Sequence, residues 1–453
     1  MANHCSPKEG GCLGSSTMHY VSAAHGGWGI VRIAALVPES YLLFVCPFAC
    51  GRHTALGGID TGIKNQVSYL FITEADIVSG DFEKMIIDNV GDLFEALPKR
   101  PKVLFIFTSC LDDLLGTDHD AINAELSEMY PDVQFRHCKM NPISLDSQLP
   151  PGITLNMNMY SLLKKTGKKD KIVNIIGNNV TLPENGDLKQ LLGSKGYKVY
   201  NVSDFKTFEE FEHMADACLN IVAGPIALKA AEQMERELDI PYIKAFVNYD
   251  PKEIEKFYQE LSNALGEDFV TPSLEYRERA LAKIEETKAI VGDYPIAIDY
   301  QAVLKPFSLG YTMTKYGFNV GMIATDGCAG HEKVNRDRLF ALNPNVLVEN
   351  PVRHNAVTFP HEGEPYLCVG FDCGYMTRSK KVVNLMQDER MFGYDGICRL
   401  MDMVGEAFNR NADVYTMIKE AKLIILVNYV LICRRLLRTI PARRQHCLTL
   451  AAS

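Results

Sequence analysis

Apolar runs rich in β-branched and aromatic residues recur along most of the chain, separated by stretches with helical spacing. The runs are YLLFV (41–45), VSYLFI (67–72), KVLFIFTS (102–109), KIVNIIG (171–177), YKVYNV (197–202), CLNIVAG (218–224), PYIKAF (241–246), PIAIDY (295–300), NVGMIAT (319–325), NVLVEN (345–350) and YLCVGF (366–371). Many are apolar at consecutive positions rather than at every second one. Strands buried on both faces of a parallel sheet need that pattern. Helical segments such as 226–238 and 250–265 lie between the runs and supply the crossovers. The pattern predicts an α/β protein with mostly parallel sheets, built of βα units in three groups.

The charged stretch KKTGKKDK (164–171) separates the first group from the second, and a long charged helical stretch (273–291) leads into the third. The predicted domains are therefore 1–168, 169–293 and 294–421. In the 273–291 segment like and opposite charges are mixed at spacings of four, which reads as a solvated helix face rather than a site. Residues 422–453 form an atypical tail, apolar and then basic, unlike the acidic body. We read it as a poorly ordered end or an altered reading frame rather than as an arm for an acidic partner. Its apolar run LIILVNYVLIC (423–433) is shorter than the roughly 20 residues a bilayer span needs, so no membrane is expected.

A chain of 453 residues is too long for one simple core, in keeping with three domains. A net charge of −9 gives no electrostatic reason to bind nucleic acid. The N-terminus MANHCSPKEGGCLGSS has no apolar signal core, so a cytoplasmic location is expected. Thirteen cysteines, an odd number spread over the whole chain, do not make a disulfide framework and leave thiolates for metal ligation.

Three cysteine contexts stand out. Cys12 lies in GGCLGSS, Cys50 in VCPFACGRHT after a predicted strand, and Cys110 in FIFTSCLDDLLGTDHDAI at the end of another. Their small or glycine neighbours let the backbone approach a bulky inorganic ligand, and strand ends are where α/β sheets place ligands. Soft thiolates suit iron–sulfur clusters, zinc or Cu(I). The spacing is too wide for a zinc ribbon or a bacterial ferredoxin, so any site would be assembled from separate loops. On spacing alone, a lone cysteine at a strand end is more often a small buried hydrophobe. A possible second site comprises Cys328 and His331 (DGCAGHEK) and Cys373 (GFDCGYM). His354 and His361 fall in a loop-like segment and read as surface residues. Neither GxxxxGK[ST] nor GxGxxG occurs, so the chain has no phosphate loop for ATP.

Three segments carry a resemblance: CPFACGRHT (46–54), FITEADIVSGDFEKMI (71–86) and TSCLDDLLGTDHDAI (108–122). Weaker similarity continues through 219–243 and 391–404. The chain resembles the nitrogenase component 1 family, which takes in nitrogenase molybdenum-iron proteins, dark-operative protochlorophyllide reductases and other nitrogenase-like reductases. The resemblance implies three Rossmann-like αβα domains around a central cleft. It implies an iron–sulfur cluster, [4Fe-4S] or P-cluster-like, on Cys12, Cys50 and Cys110. Cys12 lies farther from Cys50 than the family's spacing, which leaves Cys46 as an alternative ligand. The cluster would sit against a related component 1 subunit, in homo- or heteromeric pairing. A separate ATP-dependent iron protein would supply electrons for a substrate between the domains, in an anaerobic setting.

Two departures limit the resemblance. The family's cofactor cysteine falls at Gly224, and its cofactor histidine falls at Met391 or Phe392. Glycine and phenylalanine offer no lone pair and no histidine is present there, so an iron–molybdenum-type cofactor is not expected. Three roles stay open: a reductase of another substrate, a cofactor-assembly scaffold, or a non-catalytic partner subunit.

Overall fold

A computed structural model describes residues 20, 22, 24, 29–48, 50–51, 62–140, 149–354, 356 and 366–421, and its thirteen strands form three all-parallel sheets. The first holds β1 (Ser40–Cys46), β2 (Val67–Phe71), β3 (Val103–Thr108) and β4 (Gln134–Lys139), in the order β2-β1-β3-β4. The second holds β5 (Ile172–Ile176), β6 (Lys198–Tyr200), β7 (Leu219–Val222) and β8 (Tyr242–Lys244), in the order β6-β5-β7-β8. The third holds β9 (Ile296–Asp299), β10 (Val320–Ala324), β11 (Leu347–Glu349), β12 (Leu367–Val369) and β13 (Lys381–Val383), in the order β11-β10-β9-β12-β13. Cys12, His361 and the tail 422–453 lie outside the described residues.

Each predicted apolar run contains a strand. β4 and β13 were not predicted. Both are edge strands, and β4 (QFRHCK) alternates polar and apolar residues because only part of it is covered.

The central strands are covered on both faces. On β1, Leu42, Phe44 and Cys46 enter a core that continues into the second sheet and helix Leu228–Leu238. Leu43 and Val45 face the other way, onto Phe82, Ile86 and Val90 of helix Phe82–Ala96. Residues of the second and third sheets share one further core, including Ile175, Tyr258, Ile284, Ile298 and Leu400.

Local signals end the elements where they do. Thr73 and Asp76 form a reciprocal cap at the start of helix Glu74–Ser79, and Gly80 closes it in the left-handed conformation. These residues are part of the TEADIVSG stretch that carries the resemblance. Asp250 caps helix Pro251–Leu265 through the Lys252 N–H at 3.0 Å and pairs with Lys315 at 2.9 Å, tying the second unit to the third.

The tightest tie between these units is Asp187. Its buried carboxylate accepts from the Tyr258 hydroxyl (2.8 Å) and the backbone N–H groups of Tyr394 (2.7 Å) and Asp395 (3.3 Å). The two N–H groups belong to the first turn of helix Gly393–Asn409. Such closeness requires glycine at 393: a Cβ there would lie 2.5 Å from both carboxylate oxygens, and φ is +64°. No described helix is long and apolar enough to cross a membrane.

Gly393→Ala should lower stability by about 2 kcal/mol or more, from left-handed strain plus displacement of the Asp187 carboxylate. Gly193→Ala, in helix Asp187–Ser194 with open space around its Cα, should be neutral or slightly stabilising. Urea midpoints of the two variants against wild type check this.

Candidate functional site

The carboxyl edge of the first sheet brings the cysteine loops together. β1 and β3 are adjacent and parallel, with Val45 opposite Thr108. Neighbouring strands lie about 4.8 Å apart, so the loops leaving them start side by side. Cys50 lies in the turn after β1 and Cys110 two residues beyond the end of β3, and both are exposed. Cys46, the last residue of β1, is fully buried, and burial followed by the neighbouring Cys50 pushes its thiol up to about 12. Gly51 lets this turn pack down: a Cβ there would meet the Phe71 ring at 2.9 Å, the Tyr69 ring at 3.0 Å and Cys46 Sγ at 3.3 Å.

The same edge carries exposed apolar side chains. Phe48 is 65% exposed and packs edge-on against Phe71 at 5.0 Å. Val78 and Leu114, on the short helices after β2 and β3, are 86% and 72% exposed.

Behind Cys110 lies a polar cluster that the sequence reading did not single out. Asp112 Oδ2 is 2.7 Å from His119 Nε2 and 3.9 Å from His137 Nε2. The two imidazoles stack at 3.4 Å, and the Thr108 hydroxyl lies 2.8 Å from His137 Nε2. Burial pushes the Asp112 carboxyl up, but the hydrogen bond and charge of His119 outweigh it and hold the group below its usual range. Burial, then the adjacent His119, pulls His137 down to about 3, so its imidazole is neutral near pH 7.

A second region lies between the second and third units. A cavity of about 240 Å³ is lined by Phe246, Asn248, Phe257, Lys305 and Phe392, among others. Lys305 Nζ donates to the Phe246 carbonyl at 3.1 Å, and burial lowers this lysine to about 8. Glu332 accepts from the Phe307 and Ser308 N–H groups at 2.8 and 3.1 Å, and burial raises it to about 7. Asp388 accepts from the Tyr249 hydroxyl and the Leu304 N–H, and burial raises it to about 6.

The structure does not bring Cys328, His331 and Cys373 together. Among the described residues, the one group of three or more His, Cys, Asp or Glu close enough to share an ion is Asp112, His119 and His137. The fully buried Cys373 points its thiol at the carbonyls of Gly370 and Val369, inside the third unit. Cys328 is partly buried on the loop after β10. His331 does reach the interdomain region, edge-on to Phe246 at 5.7 Å.

The sheets define an α/β scaffold with exposed thiols at one edge, and sequence comparison makes the assignment specific. The chain matches the nitrogenase component 1 type oxidoreductase family over residues 28–409 and belongs to it. It is 24% identical over 245 residues to the nitrogenase iron-molybdenum cofactor biosynthesis protein NifE of Clostridium pasteurianum, a match covering 51% of each. The chain thus spans about half the length of that curated relative. Among solved structures, nitrogenase Cp1 at pH 6.5 superposes with a TM-score of 0.66 at 16% identity, covering 89% of this chain and 96% of that one. Nitrogenase Cp1 at pH 5 gives 0.57 at 13% identity, covering 88% and 90%. These two structures share its fold.

Asp388 supplies a pH test of the interdomain region. Its folded value of about 6 lies above the ordinary 3.8, so the folded chain keeps a proton that the unfolded chain has lost. Its contribution is fully present below pH 4 and is lost as pH rises through 6. Against Asp388→Asn, wild type should lose roughly 2 kcal/mol of relative stability between pH 4 and 7. Urea unfolding of both proteins across that range checks it; a pH-independent difference would contradict it.

Proposed function

We propose that this chain is a component 1 subunit of a nitrogenase-like reductase. It holds an iron–sulfur cluster on Cys50 and Cys110, with Cys12 as a third thiolate, at a face covered by a related subunit. It accepts electrons from an ATP-dependent iron protein and reduces a substrate bound between the second and third units. The observation that carries this reading is the pair of exposed thiols on neighbouring loops at one sheet edge.

The residues at that edge fit such a group. Two soft ligands are presented from a rigid sheet, and Gly51 keeps the backbone low beneath them. Cys46 is buried and holds its proton, which favours Cys50 as the ligand. The exposed Phe48, Phe71, Val78 and Leu114 give a partner subunit an apolar surface to cover. When bound, the cluster supplies one-electron transfer; the chain's share is to hold it, exclude water and tune it through neighbouring groups. An exposed cluster of this kind calls for a reducing, oxygen-poor cytoplasm.

The residues do not fit an iron–molybdenum-type cofactor. A Cβ at Gly224 would lie 2.7 Å from the Gly177 carbonyl oxygen, so even the first atom of a ligand side chain has no room. Met391 and Phe392 are buried among apolar groups, Phe392 edge-on to Phe257 at 5.3 Å. The cleft instead offers a substrate three phenylalanine rings and the lysines Lys244, Lys256 and Lys305 beside Glu253 and Glu260, with burial lowering Lys305 to about 8.

The similarity to a cofactor-biosynthesis protein favours a second reading. In it the chain is an assembly scaffold that carries a cluster and reduces nothing.

Iron and acid-labile sulfide should be present in the anaerobically purified complex, and dithionite-reduced protein should give an EPR signal. Cys50→Ala and Cys110→Ala should lose it. Cys46→Ala should keep it while costing roughly 1–2 kcal/mol of stability for the cavity it leaves. A folded wild-type complex without iron would overturn the cluster reading. A signal without ATP-dependent turnover of any acceptor would favour the scaffold.

A further inference from the structure

The polar cluster behind Cys110 has the composition and spacing of a mononuclear metal centre. Its three members come from three elements. Asp112 opens the short helix Asp112–Leu115, His119 opens helix His119–Met129, and His137 lies on edge strand β4 opposite Ile106 of β3. We propose that Asp112, His119 and His137 bind one divalent transition-metal ion, separate from the cluster on Cys50 and Cys110.

Four observations support the site. The three ligand atoms all lie within 4.8 Å of one another. Two of the separations, 2.7 and 3.9 Å, bracket the ligand–ligand edge of about 3.3 Å set by tetrahedral bonds of 2.0–2.1 Å. The side chains are only 12% (His119), 15% (His137) and 6% (Asp112) exposed, so little water competes for them. Asp112 Oδ1 is buried, with the buried Thr117 hydroxyl acting on the same carboxylate. A buried carboxylate is stabilised by a positive partner.

Two imidazoles and one carboxylate make a ligand set with a position left for water, which suits Zn²⁺ or Fe²⁺. The rings now lie parallel at 3.4 Å, so converging both lone pairs on one ion requires a modest splay about their side-chain bonds. The Thr108 hydroxyl, now within 2.8 Å of His137 Nε2 and 3.3 Å of Asp112 Oδ2, would give up its contact with the imidazole nitrogen when the ion binds. The ion would pin edge strand β4 to the loop that carries Cys110. It would act as a positioning element for that loop.

The test uses Co²⁺ as the probe, because its visible bands report ligand number and geometry. The full chain is dialysed against a chelator and titrated with Co²⁺, then challenged with Zn²⁺. One equivalent should bind, with bands that Zn²⁺ abolishes. His119→Ala and His137→Ala should each weaken binding about 100-fold or more, since even outer-shell losses reach 10–100-fold. Asp112→Asn should shift the bands. Cys110→Ala should leave Co²⁺ binding intact while removing the cluster iron, so failure of this proposal is distinguishable from failure of the cluster assignment. Far-UV circular dichroism establishes that each variant is folded, and His137→Gln serves if the alanine variant is not. No stoichiometric Co²⁺ in folded wild type, or binding unchanged in folded histidine variants, would overturn the proposal.

Discussion

The in-register parallel pairing of β1 with β3 is the constraint on which the cysteine edge depends. Parallel strands enter at one end of a sheet and leave at the other, so their exits share one edge. That is how Cys50 and Cys110, far apart in sequence, come to sit on adjacent loops. The register is held from both faces. A slip of one residue would turn Phe44 and Cys46 toward the helix face and Leu43 and Val45 toward the second sheet, losing both cores at once. The same pairing extends from β3 to β4 and places His137 within reach of the segment that follows Cys110. One sheet edge therefore holds both the exposed thiols and the imidazole–carboxylate cluster.

The junction of the second and third units works by a different device. Its buried acids are held mainly by backbone N–H groups and tyrosine hydroxyls. Asp187 has two backbone donors and Tyr258, Glu332 has two backbone donors, and Asp388 has Tyr249 and the Leu304 N–H. Neutral donors satisfy the oxygens without matching the charge, so desolvation still dominates. Glu332 and Asp388 consequently titrate near neutrality. The junction thus holds buried carboxyls raised toward neutrality without using a histidine.

The central strands were legible in the sequence because two covered faces force continuous apolar runs such as VLFIF on β3. β4 was missed for the converse reason. As an edge strand it carries Gln134, Arg136, His137 and Lys139, and nothing in QFRHCK exceeds the polarity of a loop. The missed strand concealed a ligand: His137 could not be placed beside Asp112 without the β3–β4 pairing. Asp112 and His119 stood in the quoted segment TSCLDDLLGTDHDAI, but their seven-residue spacing spans two helices and a turn, which no local motif describes. The placement of Cys50 and Cys110 after adjacent strands was legible from the apolar runs before them, whereas their part as ligands rests on the family resemblance. Cys328, His331 and Cys373 were grouped because each follows a strand, but proximity to strand ends does not say which way a side chain points. Cys373 turns into the core.

The two readings of function place their metal chemistry at the same edge. A reductase needs an electron relay, and a scaffold needs a place to carry its cargo. Gly224 lies against the Gly177 carbonyl so closely that no ligand side chain enters there, and Met391 and Phe392 are buried apolar residues. The neighbouring cavity, about 240 Å³, falls below the roughly 300–1,000 Å³ usual for ligand pockets, and no cysteine or histidine among the described residues lines it. A bulky inorganic cargo finds no soft ligands there. In both proposed readings the cluster therefore falls to Cys50 and Cys110 rather than to the cleft. The fold is retained while the ligands at its centre are not, so function is argued from the sites and not from the scaffold.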